Sequence, residues 1–452
     1  MDIFDFYRLE HRNRPPPMFD YTVFPYIIQH LPWKWHRLAH VCRKWRHVIS
    51  MSPRRLDLRI FCNYGAPIEN ILDSWPNLPL VVRHNDQTPT SPPNNVIVSL
   101  RRPDRVREID LNLPNSLMRS IVEVMQEPFE SLESIRITVN NAAGPPMLVR
   151  EAFLGGSAPR LREIKLDGIA FPFPEIRQVL SSSANNLVEL HLANIPDDVY
   201  FSPHDLVTSL TTLVQLKRLT VGFQLPASSP SPSVRPPQRS TYPSLTSLGF
   251  RGAREYLEEF VAQIYAPALC QINIKLFNDI FFEISQFCQF IPLLNAPRSP
   301  RSVIVTHSAG YVRVNFAEDP RDDLVLETSC RRLDWQLSFV AQISSQLSPI
   351  LSSVNSITIF SSMLPDREDV DSTQWLEVFQ PFTHVTEVYV FEATFVPGIV
   401  EALAAQDMAT EVLPELTTLR LIGYRNSLSV EKAAEKFVDT RRLAGRTVYL
   451  TD

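Results

Sequence analysis

Two histidines near the start of the chain have the spacing of a helical metal-binding pair. His36 and His40 lie four residues apart in the run WHRLAHVCRKWRHVI, so a helix would place both on one face. Arg37 stands where a zinc peptidase of this pattern carries its catalytic glutamate, and Arg43 and Lys44 add further positive charge. The sequence offers no identifiable third ligand. We therefore expect two surface histidines on a helix and no metal site.

Other residues of catalytic type also lack the partners that catalysis requires. Cys42 has basic neighbours, which lower a thiol pKa, but it belongs to an apolar helical stripe and is predicted to be a small buried side chain. The acidic pairs at 197–198 and 322–323 are typical of solvated turns. The chain has 12 glycines and none of the glycine-rich phosphate-binding motifs. These observations predict a protein that is not an enzyme and has no cofactor.

The composition is typical of a folded protein without disulfides. Of 452 residues, 44% are hydrophobic and 21% charged, and 38 are prolines. The five cysteines are widely spaced and form no CxxC pair, which is typical of a reducing compartment. Acidic residues among the first ten positions argue against a signal peptide, and the longest apolar window, 279–294, contains two acids. The sequence predicts a soluble protein of the cytoplasm or nucleus that does not bind a membrane.

Charge is unevenly distributed along the chain. Residues 1–62 contain 11 Lys or Arg and 5 Asp or Glu, a balance of +6, whereas the remainder carries −11. A basic head favours an acidic partner, either a protein or a nucleic acid. Arg43, Lys44 and Arg46 could contact phosphates, but the tryptophans at 33, 35 and 45 are better explained as the core of a helical bundle. An acidic protein is therefore the favoured partner of the head.

An internal repeat is the strongest pattern in the sequence. Ten segments follow the apolar pattern L-x-x-L-x-L, and intervals within each of the two runs measure 24 to 31 residues. The segments begin at residues 106, 132, 161, 187, 216, 245, 269, 354, 385 and 416. Each ends in an apolar–polar alternation, such as Ile164-Lys165-Leu166, that predicts a half-buried strand.

Helix-like runs lie between these strands, at 116–125, 174–184, 204–213, 256–265 and 395–406. One strand and one helix cannot bury their apolar faces alone, so the repeats are expected to stack. Stacking would give an α/β solenoid with a parallel sheet on one face and helices on the other. Residues 302–316 interrupt the pattern and predict a hairpin.

The repeats resemble the leucine-rich-repeat family over residues 96–452. The asparagine that follows the strand in that family is matched only by Asn140, so the resemblance implies an irregular solenoid. A Pro/Ser-rich segment at 224–243 is predicted to be a disordered insertion. Residues 63–95, which end in a second Pro-rich segment, are predicted to be a linker between head and repeats.

A motif in the head extends the resemblance to nearly the whole chain. The pattern L-x-x-V-C-R-x-W-R spans Leu38 to Arg46, and IFDFYR (3–8), PWKWHRL (32–38) and SPRRLDLRI (52–60) accompany it. Together they resemble F-box proteins of mushroom-forming fungi, which carry degenerate leucine-rich repeats after the box. In that family the F-box is a small helical module that docks on a Skp-type adaptor. The adaptor links it to a cullin-based ubiquitin ligase, and the repeats capture a protein substrate.

The resemblance implies an F-box-like helical module at residues 1–62 whose first helix is truncated, because the sequence begins just inside that helix. Either the start codon lies too late, or the box binds its adaptor poorly. The residues implied to contact the adaptor, or only to pack the interior of the bundle, are Ile3, Phe4, Leu38, Val41, Cys42 and Trp45.

The outward positions of the predicted strands supply a candidate substrate-binding surface. It contains Glu108, Asp110, Arg136, Lys165, His191, Tyr389, Phe391 and Arg420. Aromatic residues of this kind often anchor interfaces, unless another segment covers them. The leading hypothesis is a substrate-recruiting subunit of a cullin-type ubiquitin ligase. The alternative is a repeat scaffold that acts by protein binding alone.

Overall fold

The computed structural model describes thirteen stretches of the chain. They are residues 42–51, 60–62, 68–74, 78–85, 94–140, 152–224, 239–277, 284–294, 300–317, 324–361, 372–405, 412–422 and 427–451. The chain divides into two compact units, residues 1–199 and 200–452. Each unit is a mixed α/β structure built on a parallel or mostly parallel sheet. No helix within the described stretches combines the length and the apolar character needed to cross a bilayer.

The first unit contains six strands and five α-helices in its described residues. The strands are β1 (Ile60–Cys62), β2 (Leu80–Asn85), β3 (Val106–Pro114), β4 (Ser134–Asn140), β5 (Glu163–Asp167) and β6 (Glu189–Ile195). The helices are α1 (Arg43–Met51), α2 (Glu69–Ser74), α3 (Asn94–Leu100), α4 (Asn115–Val124) and α5 (Phe173–Ser182). All six strands are parallel and follow one another across the sheet in chain order.

Alternation of side chains gives this sheet one buried face. In β4, Ile135 and Ile137 have no exposed surface, whereas Arg136 between them is exposed. Helix α4 packs against β3 and β4 and buries Met118 and Ile121. Burial of each such aliphatic side chain contributes roughly 2 kcal/mol to folding. The helices therefore take up the apolar face, and the polar positions of the strands point away from the buried side.

The second unit contains a sheet of ten strands and a separate two-stranded sheet. The ten strands are β7 (Arg218–Phe223), β9 (Ser247–Gly252), β11 (Gln271–Leu276), β12 (Ser302–His307), β13 (Tyr311–Ala317), β14 (Leu324–Ser329), β15 (Ser356–Ser361), β16 (Glu387–Val390), β17 (Thr418–Leu421) and β18 (Tyr449–Thr451). The small sheet pairs β8 (Ser240–Thr241) with β10 (Ile264–Tyr265).

Eight α-helices accompany these strands. They are α6 (Pro203–Leu210), α7 (Arg254–Gln263), α8 (Ser285–Phe290), α9 (Leu333–Gln346), α10 (Ser348–Leu351), α11 (Ser372–Phe379), α12 (Val396–Ala404) and α13 (Leu428–Leu443). In the large sheet β13 alone runs against its neighbours, because β12, β13 and β14 form an antiparallel meander inside the parallel array. As a result, β11 pairs with β14 rather than with β12, the next strand in the chain.

The ten predicted repeat strands and the five predicted repeat helices are confirmed as secondary structure. Each L-x-x-L-x-L segment leads into one of β3–β7, β9, β11 and β15–β17. The hairpin predicted at 302–316 is the antiparallel pair β12–β13. The array also begins earlier than predicted: residues 63–95, predicted to be a linker, contain α2 and β2, and β2 pairs with β3.

The predicted insertion at 224–243 also includes ordered residues. Residues 225–238 lie outside the described stretches, but β8 follows them. Tyr242 is buried, and its hydroxyl donates a hydrogen bond of 2.9 Å to the carbonyl of Val207. A buried tyrosine hydroxyl needs a hydrogen-bond partner, and the Val207 carbonyl provides one. Tyr242 thus fixes the described end of the segment to the core.

Threonines that stand directly before three of the strands bond to the backbone of the preceding repeat. At the start of β16, the amide of Thr386 donates to the carbonyl of Asn355 at 2.9 Å, and its hydroxyl donates to the same oxygen at 3.1 Å. Thr417 repeats both bonds one strand later, to the carbonyl of Thr386. Thr246 does the same with Lys217. Each threonine thus gives one carbonyl of the preceding repeat both an amide and a hydroxyl donor.

Candidate functional site

Polar residues of the first unit form two rows across the exposed face of its sheet. One row takes a residue from each of β2 to β6: Arg83, Asp110, Arg136, Lys165 and His191. The second row takes a residue from each of β3 to β6: Glu108, Ser134, Glu163 and Glu189. The structure therefore brings together the five residues that the sequence assigned to a binding surface in this unit.

Ion pairs connect these rows into a charged ladder, defined as Arg83, Glu108, Asp110, Arg136, Glu163, Lys165 and Glu189. Arg136 lies 3.7 Å from Asp110 and 3.2 Å from Glu163. The Lys165 ammonium lies 2.8 Å from both Glu163 and Glu189. Three cations and four carboxylates thus compensate one another except for a single net negative charge.

Protonation states in the ladder follow from these contacts. Burial opposes the charged form of Glu163, but hydrogen bonds from Lys165 and Arg136 lower the pKa of its carboxyl. Burial also opposes the charged form of Lys165, but hydrogen bonds to Glu163 and Glu189 raise the pKa of its ammonium. Burial lowers the pKa of His191. These shifts keep Glu163 and Lys165 charged at neutral pH and favour the uncharged form of the neighbouring His191.

The second unit presents an aromatic patch on its outward face. We define the patch as Phe360, Tyr389, Phe391 and Ile422, which come from β15, β16 and the residues directly after β16 and β17. The Phe391 amide donates to the carbonyl of Ile359, and that of Ile422 donates to Val390, so the sheet bonding continues past the strands. Phe391 is 45% exposed and Ile422 36%. These side chains are therefore accessible to a partner.

Phe391 and Tyr389 hold a fixed arrangement within the patch. Their rings stack with centroids 6.3 Å apart and planes within 7° of parallel. The Tyr389 hydroxyl donates to Glu387 at 2.8 Å, and this bond raises the pKa of the phenol. The ring face, not the hydroxyl, is thus the part of Tyr389 left for a partner. The sequence assigned both aromatic residues to a binding surface, and the structure places them side by side.

Arg420 borders the aromatic patch without an ion pair. Its register partner on β16 is Tyr389, so the two side chains are neighbours on the same face. The guanidinium is exposed and forms no hydrogen bond or ion pair with a residue that the structure describes. Arginine beside exposed aromatic rings is the composition found at the centres of protein interfaces. Arg420 differs in this respect from the paired cations of the first unit.

A third group of charges in the second unit was missed by the sequence reasoning. Glu327 on β14 is 9% exposed and accepts bonds from the Arg313 guanidinium at 2.6 and 2.8 Å. The Lys275 ammonium lies 3.3 Å from its other oxygen. Two cations therefore share one carboxylate and leave a net positive charge on this triad. The signal was hidden because β13 and β14 lie outside the ten repeats.

Most of the predicted adaptor-contacting residues lie outside the described stretches. These are Ile3, Phe4, Leu38 and Val41. Cys42 is exposed, so the prediction that it is buried is wrong; Val48, farther along the same predicted stripe, is also 39% exposed. Trp45 lies on α1, but its side chain is not among the described ones. The structure thus places only one of the six residues in full.

No group of three or more His, Cys, Asp or Glu residues in the described stretches could hold a metal ion. His36 and His40 lie outside those stretches. A comparison with protein-family models finds no family that matches the chain, and no curated protein matches it. The surfaces described above are therefore the basis for a functional proposal.

Proposed function

We propose that this chain is a substrate-recruiting subunit of a cullin-type ubiquitin ligase. In this proposal the head, residues 1–62, docks on a Skp-type adaptor through an F-box-like module. The strand-and-helix repeats act as an irregular leucine-rich-repeat solenoid that holds a target protein. Ubiquitin transfer is then carried out by other subunits, and this chain contributes proximity.

One observation carries the binding half of the proposal: an outward sheet face bears exposed, stacked aromatic rings beside an uncompensated arginine. Phe391 and Tyr389 provide apolar area with little conformational freedom to lose, and Arg420 provides a charge that no described carboxylate pairs with. Solvent-exposed aromatic residues in such an arrangement contribute little to folding, so binding is the better reason for their presence.

The ligase half rests on the resemblance of the head to an F-box. The motif from Leu38 to Arg46 runs into α1, whose helix begins at Arg43. The basic charge of the head agrees with an acidic adaptor. Cullin scaffolds would then be indirect partners. An alternative function, a scaffold that binds proteins without ligase coupling, keeps the same surface and loses only the adaptor.

Co-purification of the full chain with the Skp-type adaptor of the same organism tests the proposal. We expect the wild type to retain the adaptor and Trp45→Ala to lose it. Met51→Ala, which changes an exposed side chain on the same helix, is the matched control and should behave as the wild type. Circular dichroism must show that the variants stay folded. If the wild type does not retain the adaptor, the ligase role is rejected and the alternative, a scaffold that binds proteins without ligase coupling, is favoured.

A further inference from the structure

From the second unit alone we infer the chemistry of the partner: a peptide segment that carries apolar side chains beside carboxylates and lies across the aromatic patch. The inference rests on the part of the proposed function that assigns target binding to the sheet face. It is independent of the adaptor.

The apolar part of the site crosses several strands. Phe360 is paired in register with Thr306 of β12, and Phe391 bonds through its amide to β15, so Phe360 and Phe391 occupy neighbouring strands. Ile304, at a half-buried position of β12, is paired with Thr358 of β15, which is itself paired with Tyr389. The outward face from β12 to β17 thus offers mainly apolar and hydroxyl-bearing side chains.

Positive charge borders this apolar strip at both ends. Arg420 lies on β17 at one end, and the Lys275–Glu327–Arg313 triad lies on β11, β14 and β13 at the other. Four strand spacings separate β13 from β17, or roughly 19 Å at about 4.8 Å per strand. An extended segment of about six residues spans that distance. A segment with an apolar centre and acidic flanks therefore matches both the chemistry and the length of the strip.

The internal contacts favour acidic flanks over basic ones. Arg420 forms no ion pair within the described stretches, so an external carboxylate can bind it without displacing a described group. In the triad, Glu327 is held by Arg313 and Lys275, and the triad keeps one net positive charge for an external anion. Glu387, in the row below the patch, accepts the Tyr389 hydroxyl and keeps its negative charge, so Arg420, Arg313, Lys275, Glu327 and Glu387 together carry one net positive charge. A lysine-rich segment would meet like charge at both ends.

Selection from a displayed library of random peptides, about 12 residues long, on the full chain tests this inference. We expect the enriched peptides to combine aliphatic or aromatic residues with Asp or Glu. A synthetic enriched peptide should bind Phe391→Ser and Arg420→Glu at least about tenfold more weakly than the wild type. Leu443→Ser and Arg442→Glu are matched controls at exposed positions of α13 and should bind as the wild type does.

The inference is overturned if no peptides are enriched or if the enriched peptides are basic. It is also overturned if Phe391→Ser and Arg420→Glu both bind the enriched peptide as the wild type does. Thermal melts of the four variants separate loss of the site from loss of the fold. Adaptor capture, measured on the same samples, separates the two proposals. A chain that retains the adaptor but shows no peptide preference keeps its ligase role and loses only this partner chemistry.

Discussion

His307 brings a titratable ring into the core of the second unit. Its Nδ1 lies 2.9 Å from the side-chain oxygen of Gln336, and its ring meets the rings of Trp375 and Phe395 edge-on. Its Nε2 has no hydrogen-bond partner among the described residues. Burial therefore lowers the pKa of His307 from the ordinary 6.5 to about 4, and Gln336 opposes this only in part.

This shift predicts a loss of stability in mild acid. The unfolded chain takes up the proton at higher pH than the folded chain does, so His307 lowers the free energy of unfolding as the pH falls from 6.5 towards 4. Between pH 7 and pH 5 the wild type should lose about 2 kcal/mol more than His307→Asn, measured by urea denaturation. His204→Asn, at an exposed histidine of the same unit, is the control. Equal losses in wild type and His307→Asn would contradict the assignment.

Lys165 shows how the ladder behaves as a surface network. Lys165→Met leaves Glu163 and Glu189 facing each other in register without a cation between them. Because these groups are partly exposed, we expect a loss of only about 1 kcal/mol in the free energy of unfolding, smaller still in high salt. Urea denaturation at low and high salt measures both. Arg162→Met, at an exposed position just before β5, should change neither, and a loss insensitive to salt would argue against the electrostatic cause.

At the scale of elements, two buried arginines donate hydrogen bonds to backbone carbonyls in the segments that precede β2 and β17. Arg441 of α13 is 3% exposed and donates to the carbonyls of Val412 and Leu413, ahead of β17. In the first unit Arg105 donates to the carbonyls of Leu72 and Leu78, ahead of β2. Burial lowers the pKa of Arg105. Both guanidinium groups satisfy backbone oxygens that the strands themselves cannot reach.

Replacement of Arg441 is predicted to lower the stability of the C-terminal repeat. Arg441→Met fills similar volume but removes both guanidinium hydrogen bonds, while the Leu413 carbonyl keeps the Leu416 amide at 3.2 Å, so the free energy of unfolding should fall by about 2 kcal/mol. Arg442→Met, at the exposed neighbouring position, should change it by less than about 0.5 kcal/mol. Chemical denaturation followed by circular dichroism measures both. Similar values for the two variants would show that the carbonyl contacts do not stabilise the repeat.

At the scale of the whole molecule, the proposals assign two kinds of binding to two regions of the chain. We expect Trp45→Ala to abolish adaptor capture and leave peptide binding unchanged. Phe391→Ser should have the opposite effect, because the aromatic patch belongs to the second unit and the head to the first. Measuring both activities on both variants checks this. A variant that loses both activities while staying folded would show that a single surface serves both.

The repeats could be predicted from sequence because the signals that produce them are local. Alternation in segments such as Leu161–Leu166 specifies a half-buried strand, and period-3.6 runs such as 174–184 specify the helices between strands. The same alternation correctly placed Lys165, Tyr389 and Phe391 on an outward face. Cys42 was predicted wrongly to be buried because an apolar stripe shows which residues share a helix face and not whether another element covers that face.

Sequence alone determined the ten repeat strands, the five helices predicted between them, and which positions of those strands face outward. Only the tertiary structure decided that β14 lies beside β11, that Glu327 pairs with Arg313 and Lys275, and that Arg420, beside Tyr389, pairs with no carboxylate of the described residues. Strand order and cross-strand register join residues far apart in the chain, and no local periodicity encodes them. Whether a charged side chain forms an ion pair depends on those distant neighbours. The chemistry of the binding face therefore depends on them as well.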